Sequence, residues 1–210
     1  MNRYFITGTD TDCGKTYVTR ELTRHYANAL ALKPIASGCY KEQGQWISSD
    51  ALLLSQVQPL SLEEINPWRF EWPVSPHIAA AREKQSIQLD KLIDYCLSFN
   101  KRDCDKLFIE GAGGLMVPLN DKHTWIDFLL QSRIPVIVVV GMKLGCINHA
   151  LLTFSVLKAH SIPCLGWIAN CFDPTMLALE ENIQTISQLA NIPLIARVPY
   201  MKSIEMIQVF

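Results

Sequence analysis

The sequence predicts an α/β fold of three layers, with a mostly parallel central sheet covered by helices on both faces. Three observations lead there. Strand-like and helix-like periodicities alternate almost throughout the chain. The run Ile134 to Gly141 is apolar from end to end and rich in β-branched residues, as suits a central strand covered on both sides. Polar or glycine residues stand where successive strands end. With 210 residues, 49% of them hydrophobic, the chain can bury one substantial core, so a single domain over residues 1–210 is expected.

Tyr4-Phe5-Ile6 reads as a buried strand that runs into a glycine-bearing loop, closing with Gly14-Lys15-Thr16 ahead of a helix from Tyr17 to Ala29. Ala29 to Pro34 suits a short second strand, although its alanine content leaves helix and strand hard to separate. Ser48 and Ser49 are natural caps for a helix over Asp50 to Val57. Gln58 to Pro76 holds four prolines and several aromatics, the densest loop signal in the chain, and reads as either a lid or a packed surface loop. Leu89, Leu92, Ile93, Cys96 and Leu97 recur at helical spacing. Gln88 to Asn100 is therefore an amphipathic helix, leading into the strand Lys106 to Glu110 and the loop Gly111-Ala-Gly-Gly114. After the strand ending at Gly141 come a helix from Ile147 to Ser161, a strand from Cys164 to Ala169, a helix from Met176 to Ala190 and a strand from Leu194 to Val198. Parallel sheets bind ligands beyond the carboxyl ends of their strands. Those ends carry the first glycine loop, Lys33, Glu110-Gly-Ala-Gly, Gly141-Met-Lys143 and Asn170.

A net charge of −1 gives no electrostatic footprint for nucleic acid or an anionic membrane surface, so anionic ligands must be held by local sites. The seven cysteines are scattered and never spaced as C-x-x-C, which supports neither a zinc site nor a disulfide framework. Reduced thiols in a cytoplasmic protein are expected. The chain enters its first strand almost at once, without a signal-peptide pattern, and the apolar run Val136 to Val140 is far shorter than the ~20 residues of a membrane-spanning helix.

The segment Gly8-Thr-Asp-Thr-Asp-Cys-Gly-Lys-Thr16 is a phosphate-binding loop, which makes the fold P-loop NTPase-like. Glycines let backbone N–H groups turn inward around phosphate oxygens, and the helix that follows adds its positive dipole end. The usual spacing is G-x-x-x-x-G-K-[ST]; here Thr9 holds the first position and Gly8 stands one place earlier. Lys15 is placed to reach the outer phosphates and the Thr16 hydroxyl to ligate Mg²⁺. Glu110 ends an apolar strand where nucleotide hydrolases carry an acid that can hold Mg²⁺ opposite Thr16; in an unrelated α/β protein a strand-end glutamate is more often a helix-cap or surface acid, and the phosphate loop favours the metal role. Asp50 reads equally well as an acid in the first turn of a helix. Lys33 precedes the small-residue run Ile35-Ala-Ser-Gly38, which suggests backbone held close to a ligand; taken alone it also reads as a solvated lysine. The turn Gly141 to Cys146 opens a helix whose free N–H groups suit a carboxylate or phosphate, or is an ordinary connection. His77, His123, His149 and His160 have no spacing that suggests a metal site or triad, and Cys13 reads as a small residue filling the loop.

Together, Gly8 to Thr16, Lys33-Pro-Ile-Ala-Ser-Gly38, Ser49-Asp50, Ser75-Pro-His77, Glu110-Gly-Ala-Gly-Gly114 and Val140-Gly-Met-Lys-Leu-Gly-Cys-Ile-Asn-His149 closely resemble the dethiobiotin synthetase family, in collinear order over nearly the whole chain. The resemblance implies ATP-dependent closure of a cyclic urea. 7,8-Diaminopelargonate takes up CO₂ (supplied as bicarbonate) as a carbamate, ATP phosphorylates it, and the second amine displaces phosphate to give dethiobiotin. It further implies Mg²⁺ held by Thr16, Asp50 and Glu110, with Lys15 and Lys33 as the catalytic cations and Ser37 against the substrate. ATP would be bound by Asp12, Cys13, Gly14, Lys15, Thr16, Tyr17, Asp50, Glu110, Gly111, Ala112, Gly113, Asn170, Cys171, Pro199, Tyr200 and Met201, with Asn170 on the adenine edge and Pro199 to Met201 lining the base pocket. A homodimer is implied, in which Gly145, Cys146, Ile147 and Asn148 of one subunit receive the substrate's carboxylate tail at the other's site. The chain departs from the family pattern at Cys13, where valine is usual, at Cys171, where an acid is frequent, in a shorter stretch before Lys33 and in a short tail after Tyr200. These departures bear on nucleotide preference.

A partner-regulated ATPase of the partitioning or carrier type is the alternative. Such proteins usually carry an extra lysine early in the phosphate loop, and none lies between Gly8 and Gly14. A GTPase would show N-K-x-D after a late strand, and Asn170-Cys-Phe-Asp173 lacks the lysine.

Overall fold

The computed structural model describes residues 1–101 and 103–210. Its elements run β1 (Asn2–Gly8), α1 (Lys15–His25), β2 (Ala29–Leu32), β3 (Ile35–Ser37), β4 (Tyr40–Glu42), β5 (Gln45–Ile47), α2 (Ser49–Ser55), α3 (Leu62–Ile65), β6 (Trp68–Phe70), α4 (Pro76–Arg82) and α5 (Leu89–Ser98). They continue with β7 (Lys106–Glu110), α6 (Trp125–Ser132), β8 (Val136–Gly141), α7 (Cys146–Ala159), β9 (Cys164–Asn170), α8 (Leu179–Ala190), β10 (Leu194–Val198) and β11 (Glu205–Met206). The central sheet has seven strands in the order β11-β10-β9-β8-β1-β7-β2, and every pairing in it is parallel except β10 with β11. Helices cover both faces, as the continuous apolarity of β8 requires: all six of its residues are buried.

The register explains how distant residues meet. In β1, Ile6 lies opposite Glu110 of β7 and Gly8 opposite Val139 of β8, so the phosphate loop leaves the sheet just past the end of β7. In β2, Leu32 lies opposite Ile109, which brings Lys33 alongside Glu110. Gly141 of β8 and Val198 of β10 both lie opposite Asn170 of β9. The chain turns from one side of β1 to the other between β7 and β8, so the crevice for ligand lies beyond β1.

Most expected elements form with ends shifted by one to three residues. The alanine-rich Ala29–Leu32 is a strand, with all four residues buried. Its outer edge is covered by Gln58, whose side chain takes the Ala31 N–H at 2.6 Å and donates to the Ala31 carbonyl at 2.9 Å. The segment Gln58 to Pro76 is a packed segment rather than a lid, because it buries Ile65 and Phe70 and folds into α3 and β6. β6 pairs in parallel with β3, and the buried Asn66 side chain donates to the carbonyls of Lys33, Pro34 and Trp68 at 2.7, 3.1 and 3.2 Å. Prolines end its elements without preventing them. The hairpin β4–β5 and the helices α4 and α6 are additions to the sequence reading. α6 starts at a capping box made by Thr124 and Asp127.

Candidate active site

The first glycine of the phosphate loop stands at Gly8 because the chain folds back there. A Cβ on Gly8 would lie 2.3 Å from the Cys13 sulfur and 3.0 Å from the Lys15 side chain. Thr9 is still part of the sheet edge, its N–H donating to Val139 O at 3.1 Å, so glycine is not needed there. Asp12 and Gly14 both have left-handed backbone, at φ 55° and 85°, which turns successive N–H groups toward one concavity at the start of α1. Cys13 is fully buried and fills the space under the loop, as expected. Gly14 sits on Asn170: a Cβ there would come within 2.0 Å of the Asn170 amide nitrogen, which donates to Cys13 O at 2.9 Å. Gly14→Ala is expected to weaken MgATP binding about tenfold or more, through left-handed strain and displacement of Asn170. Calorimetric titration with MgATP checks this, and unchanged affinity would contradict it.

The loop opens on a cleft of about 830 Å³. Of the expected residues, Asp12, Gly14, Lys15, Thr16, Lys33, Ser37, Asp50, Glu110, Ala112 and Gly113 line it. Its centre is a polar cluster around a fully buried glutamate. Glu110 Oε1 accepts from the Thr16 hydroxyl at 2.7 Å and from Lys33 Nζ at 2.6 Å, and Lys33 Nζ reaches Asp50 Oδ2 at 3.0 Å and donates to Gly111 O at 3.3 Å. Burial alone would push the Lys33 ammonium down, but Glu110 and Asp50 outweigh it and hold Lys33 above the ordinary lysine range. Burial likewise pushes Asp50 up, and Lys33, helped by Thr16 and Lys15, more than reverses this, leaving Asp50 below the usual carboxylate range. Lys33 is therefore a fixed cation.

The signs set a pH window. A raised lysine contributes stability below its ordinary pKa and loses it as pH climbs through the raised value; a lowered aspartate contributes above its ordinary pKa and loses it as pH falls through the lowered value. Between about pH 5 and about pH 9 neither group titrates. The melting-temperature difference between this protein and Asp50→Asn, in which Lys33 keeps its Glu110 partner, is expected to stay constant over that window and to shrink in stronger acid. A difference that varies steadily between those limits in calorimetric scans would contradict the pairing.

The neighbouring loop is held rigidly. A Cβ on Gly111 would meet the Phe5 ring at 2.6 Å, and the Trp125 indole donates to Ala112 O at 3.0 Å. Lys15 Nζ donates to Asp10 O at 2.9 Å, while the Asp10 carboxylate pairs with Lys143 at 2.8 Å, which holds Asp10 below the usual carboxylate range. Two buried side-chain oxygens in the cleft have no hydrogen-bond partner among the described residues: Glu110 Oε2 and Ser37 Oγ. Both are free to meet a ligand.

The remaining expected residues are not among those that line the cleft. Tyr17 donates to Lys202 O at 3.1 Å, and Lys202 closes a turn with Pro199, so Tyr17 meets the Pro199-Tyr200-Met201 segment. Cys171 N–H donates to Val198 O at 2.8 Å, joining that segment to Asn170. Gly145, Cys146, Ile147 and Asn148 form the start of α7 and do not line this chain's cleft; Gly145 has left-handed backbone at φ 93°, and the adjacent Leu144 is 98% exposed. Thr11, Gly38, Ser49, Val117 and the stretch Pro73 to Pro76 also line the cleft. Thr11 and Ser49 were within reach of the sequence reading, as neighbours of the phosphate-loop signal and of Asp50; Pro73 to Pro76 gave only a loop signal.

A family model described as "AAA domain" matches residues 2–208. The ATP-dependent dethiobiotin synthetase BioD of Legionella pneumophila strain Paris is 60% identical over 200 residues, covering 95% of this chain and 94% of its own length. The protein of the same name from Cellvibrio japonicus is 43% identical, covering 93% of this chain and 88% of its own. Among solved structures, a ParA family ATPase from Chlorobium tepidum is similar in fold, with a TM-score of 0.58 at 12% identity over 96% of this chain and 85% of its own. The Aquifex aeolicus MinC:MinD cell division complex gives a TM-score of 0.54 at 12% identity, over 95% and 81%.

Proposed function

Since the chain belongs to the ATP-dependent dethiobiotin synthetase family, we propose that 7,8-diaminopelargonate, CO₂ and ATP react in the cleft between the phosphate loop and Lys33 to form dethiobiotin. This is ATP-dependent ligase chemistry of biotin biosynthesis. The observation that carries it is the shared contact of Glu110 Oε1 with Thr16 of the phosphate loop and with the buried cation Lys33. A permanent cation beside the β7 acid that bonds the phosphate loop supports a second anionic reactant next to the nucleotide, which a plain nucleotide switch does not require.

The chain's part is positioning and charge neutralisation. The loop N–H groups and Lys15 hold the phosphates. Lys33 orients the carbamate and the transferred phosphoryl group and is too firmly protonated to act as a base. Ser37, with its buried hydroxyl oxygen unpartnered, bonds the substrate. Asn170 and the Pro199 to Met201 segment serve the base. Thr16, Asp50 and Glu110 fit Mg²⁺, being hard oxygen donors with one buried carboxylate oxygen free. When bound, that ion neutralises phosphate charge.

We further infer a homodimer, supported by a groove of about 460 Å³ in which Met116, Val117, Leu152 and Val156 flank Thr9 to Thr11. In that homodimer the start of the second copy's α7, a helix N-terminus, would receive the substrate's carboxylate tail. No described helix is long and apolar enough to cross a membrane. Scattered cysteines support work in the cytoplasm. Incubation with ¹³C-bicarbonate, the diamine and MgATP tests the reaction: the expected product is dethiobiotin carrying one ¹³C atom, and unlabelled or absent ureido product would contradict it.

A further inference from the structure

Beyond the groups given roles above, one polar pair touches the cleft. Ser75 lines it, and the Ser75 hydroxyl lies 3.0 Å from Nδ1 of His77. Ser75 is the N-cap of α4, a place where a serine oxygen ordinarily accepts from the first turn, yet it makes no capping bond. The hydroxyl turns to the imidazole instead. Its stretch of chain is fixed against the Ser37 segment: Gly38 N–H donates to Trp72 O at 3.1 Å, and a Cβ on Gly38 would lie 3.2 Å from the Pro73 ring. Ser37 and Ser75 therefore line one compartment.

A diamine needs acceptors for its N–H groups, whereas Lys15 and Lys33 can only donate. Resting on the reading of this cleft as the diamine's site, we propose that His77 is a positioning residue for the diamine, accepting the Ser75 proton at Nδ1 so that the Ser75 oxygen is presented to a substrate amine as an acceptor. A neutral imidazole with its proton on Nε2 has Nδ1 free to accept, and a hydroxyl whose single proton is committed keeps lone pairs for the cleft. The chain of bonds strengthens the acceptor. No covalent change is involved. Spacing alone gave His77 no role because its partner is a serine two residues away, across the proline that opens α4.

Steady-state kinetics on Ser75→Ala, His77→Ala, His77→Asn and the Ser75→Ala/His77→Ala double variant, beside the unsubstituted enzyme, test this. Asparagine is the conservative variant, since its amide oxygen can accept from Ser75. The KM for the diamine is expected to rise about tenfold in each alanine variant, as for a lost hydrogen bond to a charged or polarised group. The double variant should show no further rise, and His77→Asn should return to within about threefold of the original. The KM for MgATP and the melting temperature should not move. An unchanged diamine KM in His77→Ala, losses that multiply in the double variant, or no recovery in His77→Asn would overturn the proposal. So would a parallel loss of MgATP affinity or of melting temperature, which marks a merely structural role. If the unsubstituted enzyme makes no dethiobiotin, the family reading fails and this proposal with it, a result distinct from failure of the variants alone.

Discussion

Lys33→Ala is expected to lower turnover about a hundredfold to a thousandfold, the effect of removing one preorganised charge from a reacting centre. Lys33 is 4% exposed, held above the lysine range, and bonded to Asp50 and Glu110. Its loss removes the buried cation of the cleft and leaves Glu110 buried without its counter-charge. Truncating one partner of a buried pair costs about 3–5 kcal/mol, which in a chain of this size lowers the melting temperature on the order of 10 °C. The variant is therefore expected to fold at room temperature and to melt earlier. Product formation measured well below the new melting temperature separates the two effects. Near-normal turnover in that folded variant would remove Lys33 from the chemistry.

Glu110→Gln is expected to act differently. A glutamine oxygen in the place of Oε1 can still accept from Thr16 and Lys33, so the local geometry survives, but the charge disappears and Oε2 becomes an amide. If Glu110 helps to hold Mg²⁺, the Mg²⁺ concentration for half-maximal turnover should rise about tenfold to a hundredfold, with part of the lost rate recovered at high Mg²⁺. Loss of rate that no Mg²⁺ concentration recovers, with half-maximal Mg²⁺ unchanged, would assign Glu110 to holding Lys33 alone.

The alternating strands and helices were legible because each is a local pattern: β8 is apolar and β-branched throughout, and α5 repeats its apolar residues at helical spacing. The phosphate loop was legible for the same reason, even with Gly8 out of its usual place. The Lys33–Glu110 pair was not, since 77 residues separate the partners and only the register of β2 and β7 joins them. Taken by residue type alone, Lys33 passed as a surface lysine, and the resemblance alone raised it above that. The proline-rich stretch misled in part: its punctuation is that of a loop, but Ile65, Asn66 and Phe70 tie it under Lys33, and burial of that kind has no local signature. Asp50 stayed ambiguous in sequence because a first-turn acid and a metal-binding acid look alike; it does lie in the first turn of α2, and its 3.0 Å contact with Lys33 shows that it also joins the polar cluster of the cleft.

The most direct measurement is the stoichiometry of phosphate release from MgATP by the purified protein, with and without 7,8-diaminopelargonate and bicarbonate. The expected result is one phosphate per dethiobiotin formed, with release requiring both the diamine and bicarbonate. Comparable release without the diamine, or release with no dethiobiotin formed, would contradict the ligase account and favour a partner-regulated ATPase.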